Sequence, residues 1–344
     1  CRCTTGCDMD AMYLLDHSFS PVCMPIDGYI SLVWSLCYRS CGTFTAQLPY
    51  DGAAGLPEQA VYLTDGVRCG RIERIVIESG RVRLTGRTLE CLLYDRLIAE
   101  KFEYTGTLSE ACLAAVRTYC GDLPLTVETD GASFAQTGVY RAHWTTVGQF
   151  LHDALSQAGG SFAVEYVPGA AKCAFRLVCG TDRSDAGAVF SEDFGNIASL
   201  TVERDRSEQA DRVYVTGADN VTAAVVREGA AEPYRDARIE AMDMESADYE
   251  VFADYTDALR ERGKAYLAAY GGEIVRVDGG AEPDTLPEYG VDYALGDLCT
   301  VRTAAYSGTV RLTAIDVVTE NGVRRVYPYF GIRRRTIRDA LGEK

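Results

Sequence analysis

The alternation of apolar and polar positions changes its period twice along the chain. From Met12 to about Glu100 the signal is that of strands: Tyr29 to Trp34, Gly42 to Leu48, Ala60 to Thr64, Gly70 to Glu78 and Arg81 to Gly86 are short runs separated by turns. In Arg71-Ile72-Glu73-Arg74-Ile75-Val76-Ile77 apolar residues partly alternate with charged ones. That is the period of two of a half-buried strand, whose successive side chains leave opposite faces. Ser79-Gly80 predicts a two-residue hairpin turn, because glycine takes positive φ at no steric cost. Short strands in series predict a β-barrel or sandwich over 12–100.

Near Lys101 the period becomes helical. Leu108 to Cys120 places Leu108, Cys112, Ala115, Val116 and Tyr119 on one face, with Thr107 or Ser109 able to cap the start. Thr146 to Ala158 carries Val147, Phe150, Leu151, Ala154 and Leu155 at i, i+3, i+4, i+7 and i+8, and Gly159-Gly160 stops it. The strands Ser161 to Val167 and Cys173 to Cys179, joined by Pro168-Gly169, complete a small α+β domain over 101–188. From 189 to 344 the pattern returns to β, interrupted by one long amphipathic helix over 246–270. Tyr249, Phe252, Leu259, Tyr266, Leu267 and Tyr270 form its stripe, and Gly271-Gly272 ends it. Leu295-Gly296-Asp297 opens a strand through Arg302, and Thr309 to Val318 and Gly322 to Tyr329 form a hairpin around Glu320-Asn321-Gly322. The expected class is mainly β with an α+β insertion. The chain opens at Cys1, whereas Met12-Tyr13-Leu14-Leu15-Asp16 reads as a natural beginning, so 1–11 is expected to be a non-native or disordered leader.

Charge narrows the function. Fifty acids against thirty-four bases, a net −16, argue against recognition of a phosphate backbone, which needs clustered Lys and Arg. An acidic wall that nucleic acid slides past remains compatible with it. Thirteen cysteines are many, but Cys69, Cys91, Cys112, Cys120, Cys173, Cys179 and Cys299 sit where small apolar residues would serve, which predicts reduced core thiols. Cys1, Cys3 and Cys7 have a spacing that could begin a metal site, yet no fourth ligand follows at a familiar spacing; Cys23 is distant and His17 is the only nearby histidine. No apolar run approaches the roughly twenty residues of a membrane span. The twenty-one tyrosines suit half-buried strands and, in part, interfaces.

Candidate chemistry is sparse. His17, His143 and His152 lack metal-type spacing, and no nucleophile elbow or phosphate-binding glycine loop occurs. Acid pairs such as Glu192/Asp193 or Asp243/Glu245 could serve a glycosidase only if held about 5–10 Å apart in a cleft, and nothing favours either pair. No catalytic, cofactor or metal residue is expected, and the chain is not read as an enzyme.

Four segments, in order, resemble a known family. The first is MYLLD…IDGYISLVWSLCYRSCGTFTAQLP, with Ser31, Leu32, Trp34, Tyr38, Gly42, Phe44, Leu48 and Pro49; the second is Gly70-Arg71-Ile72 with VRLTGRTLEC, followed by Leu92 and Arg96. The third is Thr181 to Gly217, with its Phe194-Gly195-Asn196 turn, and the fourth is Asp292-Tyr293-Ala294-Leu295-Gly296-Asp297. Together they are similar, from Met12 to Gly331, to the tail-tip hub proteins of long-tailed bacteriophages, including the ReqiPepy-type siphovirus tail proteins. The resemblance implies a homotrimeric ring in which two tube-like β-barrel domains per subunit, over 12–100 and 189–344, face a sixfold tail tube. It implies partners among tail-tube, distal-tail and tape-measure proteins, with DNA passing through without specific binding. It also implies a place at the virion tail tip after assembly in the bacterial host cytoplasm, with no membrane insertion. The chain ends soon after the second barrel, so the C-terminal hydrolase or fibre extension of many relatives is not expected here. Glu203 to Asp211 is expected to be a surface or intersubunit patch. The competing reading is a glycan-binding or glycan-hydrolysing β-protein with an aromatic cleft and two convergent carboxylates.

Overall fold

The computed structural model describes residues 11–50, 57–78, 80–185, 187–207, 209–242, 244–281, 285–304, 306–320 and 322–331. Cys1, Cys3 and Cys7, and all of the expected leader except buried Ala11, lie outside them. The chain begins with β1 (Tyr13–Leu15), β2 (Ser31–Cys37), β3 (Thr43–Pro49), β4 (Tyr62–Thr64), β5 (Cys69–Glu78) and β6 (Arg81–Thr88). Next come α1 (Cys91–Tyr94), β7 (Leu97–Ile98), β8 (Phe102–Thr107), α2 (Leu108–Tyr119), β9 (Leu125–Val127) and β10 (Thr137–Ala142). They continue into β11 (Thr145–Thr146), α3 (Val147–Gln157), β12 (Gly160–Glu165) and β13 (Cys173–Cys179). After β14 (Val189–Ser191) and β15 (Ile197–Asp205) the chain forms β16 (Arg212–Gly217), β17 (Thr222–Val226), β18 (Asp236–Ala241) and α4 (Phe252–Tyr270). It closes with β19 (Ile274–Ala281), β20 (Leu298–Arg302), β21 (Ser307–Glu320) and β22 (Val323–Gly331).

Strands dominate, as the patterning predicts. The two β-rich regions do not stand apart, however. β2 pairs antiparallel with β21, Trp34 opposite Val317, and joins both regions into a twelve-stranded sheet of order β1-β4-β5-β6-β3-β2-β21-β22-β19-β15, with β20 and β14 branching from β21. Among the described residues that order is an open path, so the pairing does not draw the closed barrels expected of each half. One buried cluster runs through both regions, from Leu14, Trp34, Phe44 and Leu84 to Phe190, Tyr293, Cys299 and Phe330. Phe44 lies opposite Gly86 across β3 and β6, and a side chain at Gly86 would meet the Arg71 carbonyl oxygen at 1.8 Å and the Phe44 ring at 2.7 Å. The ring therefore covers a glycine that the bulge between Ile72 and Arg74 requires.

The α+β region behaves as local chemistry dictates. Thr107 caps α2 with a reciprocal pair, its hydroxyl accepting from Glu110 N at 3.3 Å and Glu110 Oε2 accepting from Thr107 N at 2.9 Å. Thr146 caps α3 through Gln149 N at 3.2 Å. α2, α3, β12 and β13 pack on a core that includes Cys112, Val116, Phe150, Leu155 and Phe175 and reaches Leu15, Tyr62 and Cys69 of the first β region. Burial pushes the thiols of Cys112, Cys120, Cys173 and Cys299 up to about 12, which keeps them protonated and unreactive. Cys179, expected in a core, is exposed, because it ends β13 where the strand leaves the sheet.

Between β15 and β19, residues 206–273 build a separate unit that the apolar pattern does not announce. β17-β16-β18 form a three-stranded sheet, and α4 packs on it through Tyr255, Leu259 and Leu267. Gly263 lets the helix approach Val213, Val215 and Val225, whose methyls lie 2.8–3.2 Å from where a Cβ would stand. The helix begins at Phe252 rather than 246; Ser246–Asp248 is a 3-10 turn and Phe252 is 58% exposed and leaves the buried stripe, while Tyr249 packs against the same core from ahead of the helix. Asp219 explains the late start, since its Oδ2 accepts from Ser246 N at 3.1 Å while Oδ1 accepts from the Tyr255 hydroxyl at 2.5 Å. These bonds, led by that from Tyr255, hold the Asp219 carboxyl well below the usual carboxylate range. A depressed carboxylate stabilises the fold above its unfolded pKa and loses that contribution as pH falls toward its folded value. Asp219→Asn should therefore be less stable than wild type at pH 7 and converge with it on acidification below about pH 4, read as urea midpoints across pH.

Candidate functional site

Three of the four resembling segments converge where the main sheet, the α+β region and the returning chain meet. Tyr38 follows β2 and is 4% exposed. Its N–H donates to Thr313 O at 2.8 Å, which ties it to β21. Its hydroxyl accepts from Gly180 N at 2.9 Å and donates to Gly159 O at 3.1 Å, and Ser161 Oγ donates to its carbonyl. One side chain thus holds both ends of the β12–β13 hairpin. Burial raises the phenol pKa, so the hydroxyl stays protonated and able to donate.

Opposite Tyr38, Gly296 adopts φ +97°, and a Cβ there would strike the Tyr38 ring at 2.1 Å. Gly180 packs on the same turn: its Cβ would lie 1.8 Å from Gly296 O and 2.1 Å from Gly296 C. Asp297, 3% exposed, accepts from Thr181 N at 2.7 Å and Ala294 N at 2.9 Å, with Arg183 at 3.5 Å. Its oxygens are therefore committed to holding Thr181 against β20, where Leu298 N donates to Thr181 O at 2.9 Å. A carboxylate saturated in this way positions backbone and is not poised to activate water.

The Phe194-Gly195-Asn196 turn has a comparable anchor. Asn196 is 5% exposed; its Oδ1 accepts from Ser191 N at 2.9 Å, and its Nδ2 donates to Val189 O and Leu286 O, each at 2.8 Å. Gly195 takes φ +63° and ends a 3-10 turn that Ser191 caps. Asn196→Ala would strand one buried donor and two carbonyls, and should lower stability by about 3 kcal/mol, measured as a shift in denaturant midpoint at unchanged slope.

The remaining sequence candidates fall apart in space or pair locally. His17 and His143 are exposed, His143 5.6 Å from the Trp144 ring, and His152 Nδ1 bonds Arg39 O at 2.6 Å. Glu192 and Asp193 share an exposed 3-10 turn; Asp243 lies outside the described residues, and Glu245 precedes the Ser246–Asp248 turn. Among the described residues no group of three or more His, Cys, Asp or Glu is placed to hold a metal ion. Of the charges between Glu203 and Asp211, Arg206 pairs with Glu273 at 3.0 Å and Asp211 with Arg227 at 2.8 Å, bracing the entry into the 206–273 unit, and Glu208 lies outside the described residues. A cleft there is lined by Arg212, Glu232, Pro233 and Tyr234. Asp236 beside it is bound bidentately by Arg212 at 2.7 and 2.8 Å, and that arginine lies 5.2 Å from both the Tyr214 and Tyr234 rings. Arg39 and Arg311, which also line the Tyr38 junction, carry no sequence signal because their partners lie far away along the chain.

The fold is that of phage and prophage tail proteins. It superposes on the tail protein from Neisseria meningitidis MC58 with a TM-score of 0.61 at 15% identity, covering 94% of this chain and 96% of that one. The 43 kDa tail protein of prophage MuSo2 from Shewanella oneidensis gives 0.62 at 11% identity, with 93% and 97% covered. The prophage tail protein gp18 from Listeria monocytogenes EGD-e gives 0.55 at 8% identity, with 97% and 98% covered. No curated protein sequence matches. The family model described as Siphovirus ReqiPepy6 Gp37-like protein matches residues 11–332, and the chain belongs to that family. Family and fold together define a structural component of a phage or prophage tail.

Proposed function

We propose that this chain forms the hub ring of a phage or prophage tail tip, a homotrimer that joins the tail tube and distal tail ring to the tip and lets DNA pass. The family match across 11–332 is the observation that carries this reading. Three further features support it. The two β-rich regions are built into one sheet through β2 and β21, a continuous body suited to bearing load between stacked rings. The polar groups at the junction are spent on holding backbone, which suits a scaffold better than a catalyst. The net charge of −16 gives DNA a wall that repels its phosphates. In this role the chain is not an enzyme, works without a cofactor, and sits in the virion after assembly in the host cytoplasm. Labelling of virions that carry an affinity tag on this chain tests the placement. Label confined to the distal end of the tail supports it, whereas label along the tube or absence from virions contradicts it.

A further inference from the structure

Residues 206–273 are attached to the rest of the molecule at few and particular places. Their core is their own. Among the described residues, the buried cluster around Val213, Val215, Tyr255 and Leu259 takes no residue from outside the unit, and neither of the other two clusters takes one from inside it. The chain enters and leaves side by side, since Asp205 of β15 lies opposite Ile274 of β19. One step further on, Arg206 and Glu273 pair at 3.0 Å and fasten the two crossings to each other rather than to the main sheet. Gly271 and Gly272 separate α4 from this stem, and nothing lies within 4 Å of the Cβ position of Gly272.

Away from the stem, the unit meets the α+β region through charge. Lys101 Nζ pairs with Asp248 Oδ1, and the Arg141 guanidinium, held by Glu103 Oε2 at 2.8 Å, lies 4.9 Å from the centroid of the Tyr249 ring. Both contacts fall on the stretch ahead of α4 that Asp219 ties to the unit through Ser246 N. The Lys101 side chain is 45% exposed, so its ion pair contributes little in water and is weakened by salt, whereas parting a buried apolar interface would cost far more. A unit with its own core, a two-strand stem and a polar fastening opens more readily than it unfolds. We propose that residues 206–273 swing as one rigid lobe about the stem, and that Lys101–Asp248 and Arg141–Tyr249 are the latch that holds the lobe closed on the α+β region. Opening uncovers Tyr249 and the Glu103–Arg141 pair across β8 and β10, so the latch controls whether that surface is presented. The motion belongs to the single chain, and its test does not depend on the ring.

Energy transfer between fluorophores at Arg117 of α2 and Asp254 of α4, both exposed, follows the lobe in the full chain. The dyes are carried on encoded non-natural residues, since the chain has thirteen cysteines. At low salt the wild type should show one dominant distance. Lys101→Glu, which sets like charges against each other, should raise the open population about fivefold or more, and high sodium chloride should shift the wild type the same way. The charge swap Lys101→Glu with Asp248→Lys should restore the closed distance. If Lys101→Glu fails to fold, Asp248→Lys decides, because it opposes the same pair from the other side. Hydrogen exchange at Val213 and Val215 separates swinging from melting, and these amides should stay as protected as in the wild type. An unchanged distance in both single variants, a swap that leaves the lobe open, or faster exchange at Val213 and Val215 as the distance grows would overturn the proposal.

Discussion

Gly180→Ala is expected to lower folding stability by about 4 kcal/mol, enough to leave much of the chain insoluble or unfolded at 37 °C. The atoms that an added methyl would meet are Gly296 O at 1.8 Å, Gly296 C at 2.1 Å and Asp297 N at 2.7 Å, all backbone. No side chain can swing aside, so the collision displaces either the Gly296 turn or the Gly180–Thr181 strand. Either movement breaks the Asp297 bond to Thr181 N and loosens Leu298 from Thr181. Overpacking usually costs 1–3 kcal/mol where neighbours can adjust, and rigid surroundings put this site above that range. Gly169→Ala is the contrasting control: its φ of +78° strains any side chain but nothing lies within 4 Å of its Cβ position, whereas Gly180 does not stand at positive φ and would suffer the collision alone. The control should cost about 1 kcal/mol. Chemical denaturation of both variants measures the difference.

Tyr38→Ala should be nearly as damaging, at about 4 kcal/mol, and Tyr38→Phe about half that. The alanine variant removes a buried ring that fills the space beside Gly296 and lies under two guanidinium groups. The phenylalanine variant keeps the ring and removes only the hydroxyl, leaving Gly180 N–H and Gly159 C=O without their partner. Similar losses in the two variants would mean that the ring itself contributes little and that hydrogen bonding alone secures the junction. Hydrogen exchange at Gly180 gives a local readout, and its amide should open faster in both variants.

What could be read from the sequence divides by the distance over which each feature is encoded. α2 and α3 were legible to within a residue or two because their caps, Thr107 with Glu110 and Thr146, lie beside the helices they start. Gly80 and Gly322 stand at positive φ where turns were expected, since a turn states its backbone need in the residue itself. The β2–β21 pairing was not legible, because it brings Trp34 opposite Val317 and neither strand's alternation names its neighbour. β17 and β18 were missed for a different reason. Thr222–Val226 and Asp236–Ala241 are rich in alanine and charge, poor strand formers that their neighbours and α4 hold in the sheet. The buried face of α4 was misjudged because Gly263, which brings the helix close to β16, does not count as apolar, while exposed Phe252 does.

At the junction, Tyr38, Gly296 and Asp297 could be picked out only through family resemblance, and nothing in the sequence says that they touch. Gly180 and Arg311 had no signal at all. Their importance follows from the close approach of segments more than a hundred residues apart, Gly180 to Gly296 and Arg311 to Tyr38. Absence of a catalytic set was an expectation from spacing, and the saturated hydrogen bonding of Asp297 and Asn196 adds a physical ground for a scaffold role.

Native mass spectrometry of the purified chain, alone and mixed with tail-tube and distal-tail proteins, tests the hub assignment most directly. A hub ring predicts a species at three times the chain mass that takes up those partners as a closed assembly. A monomer that remains monomeric in their presence would contradict it.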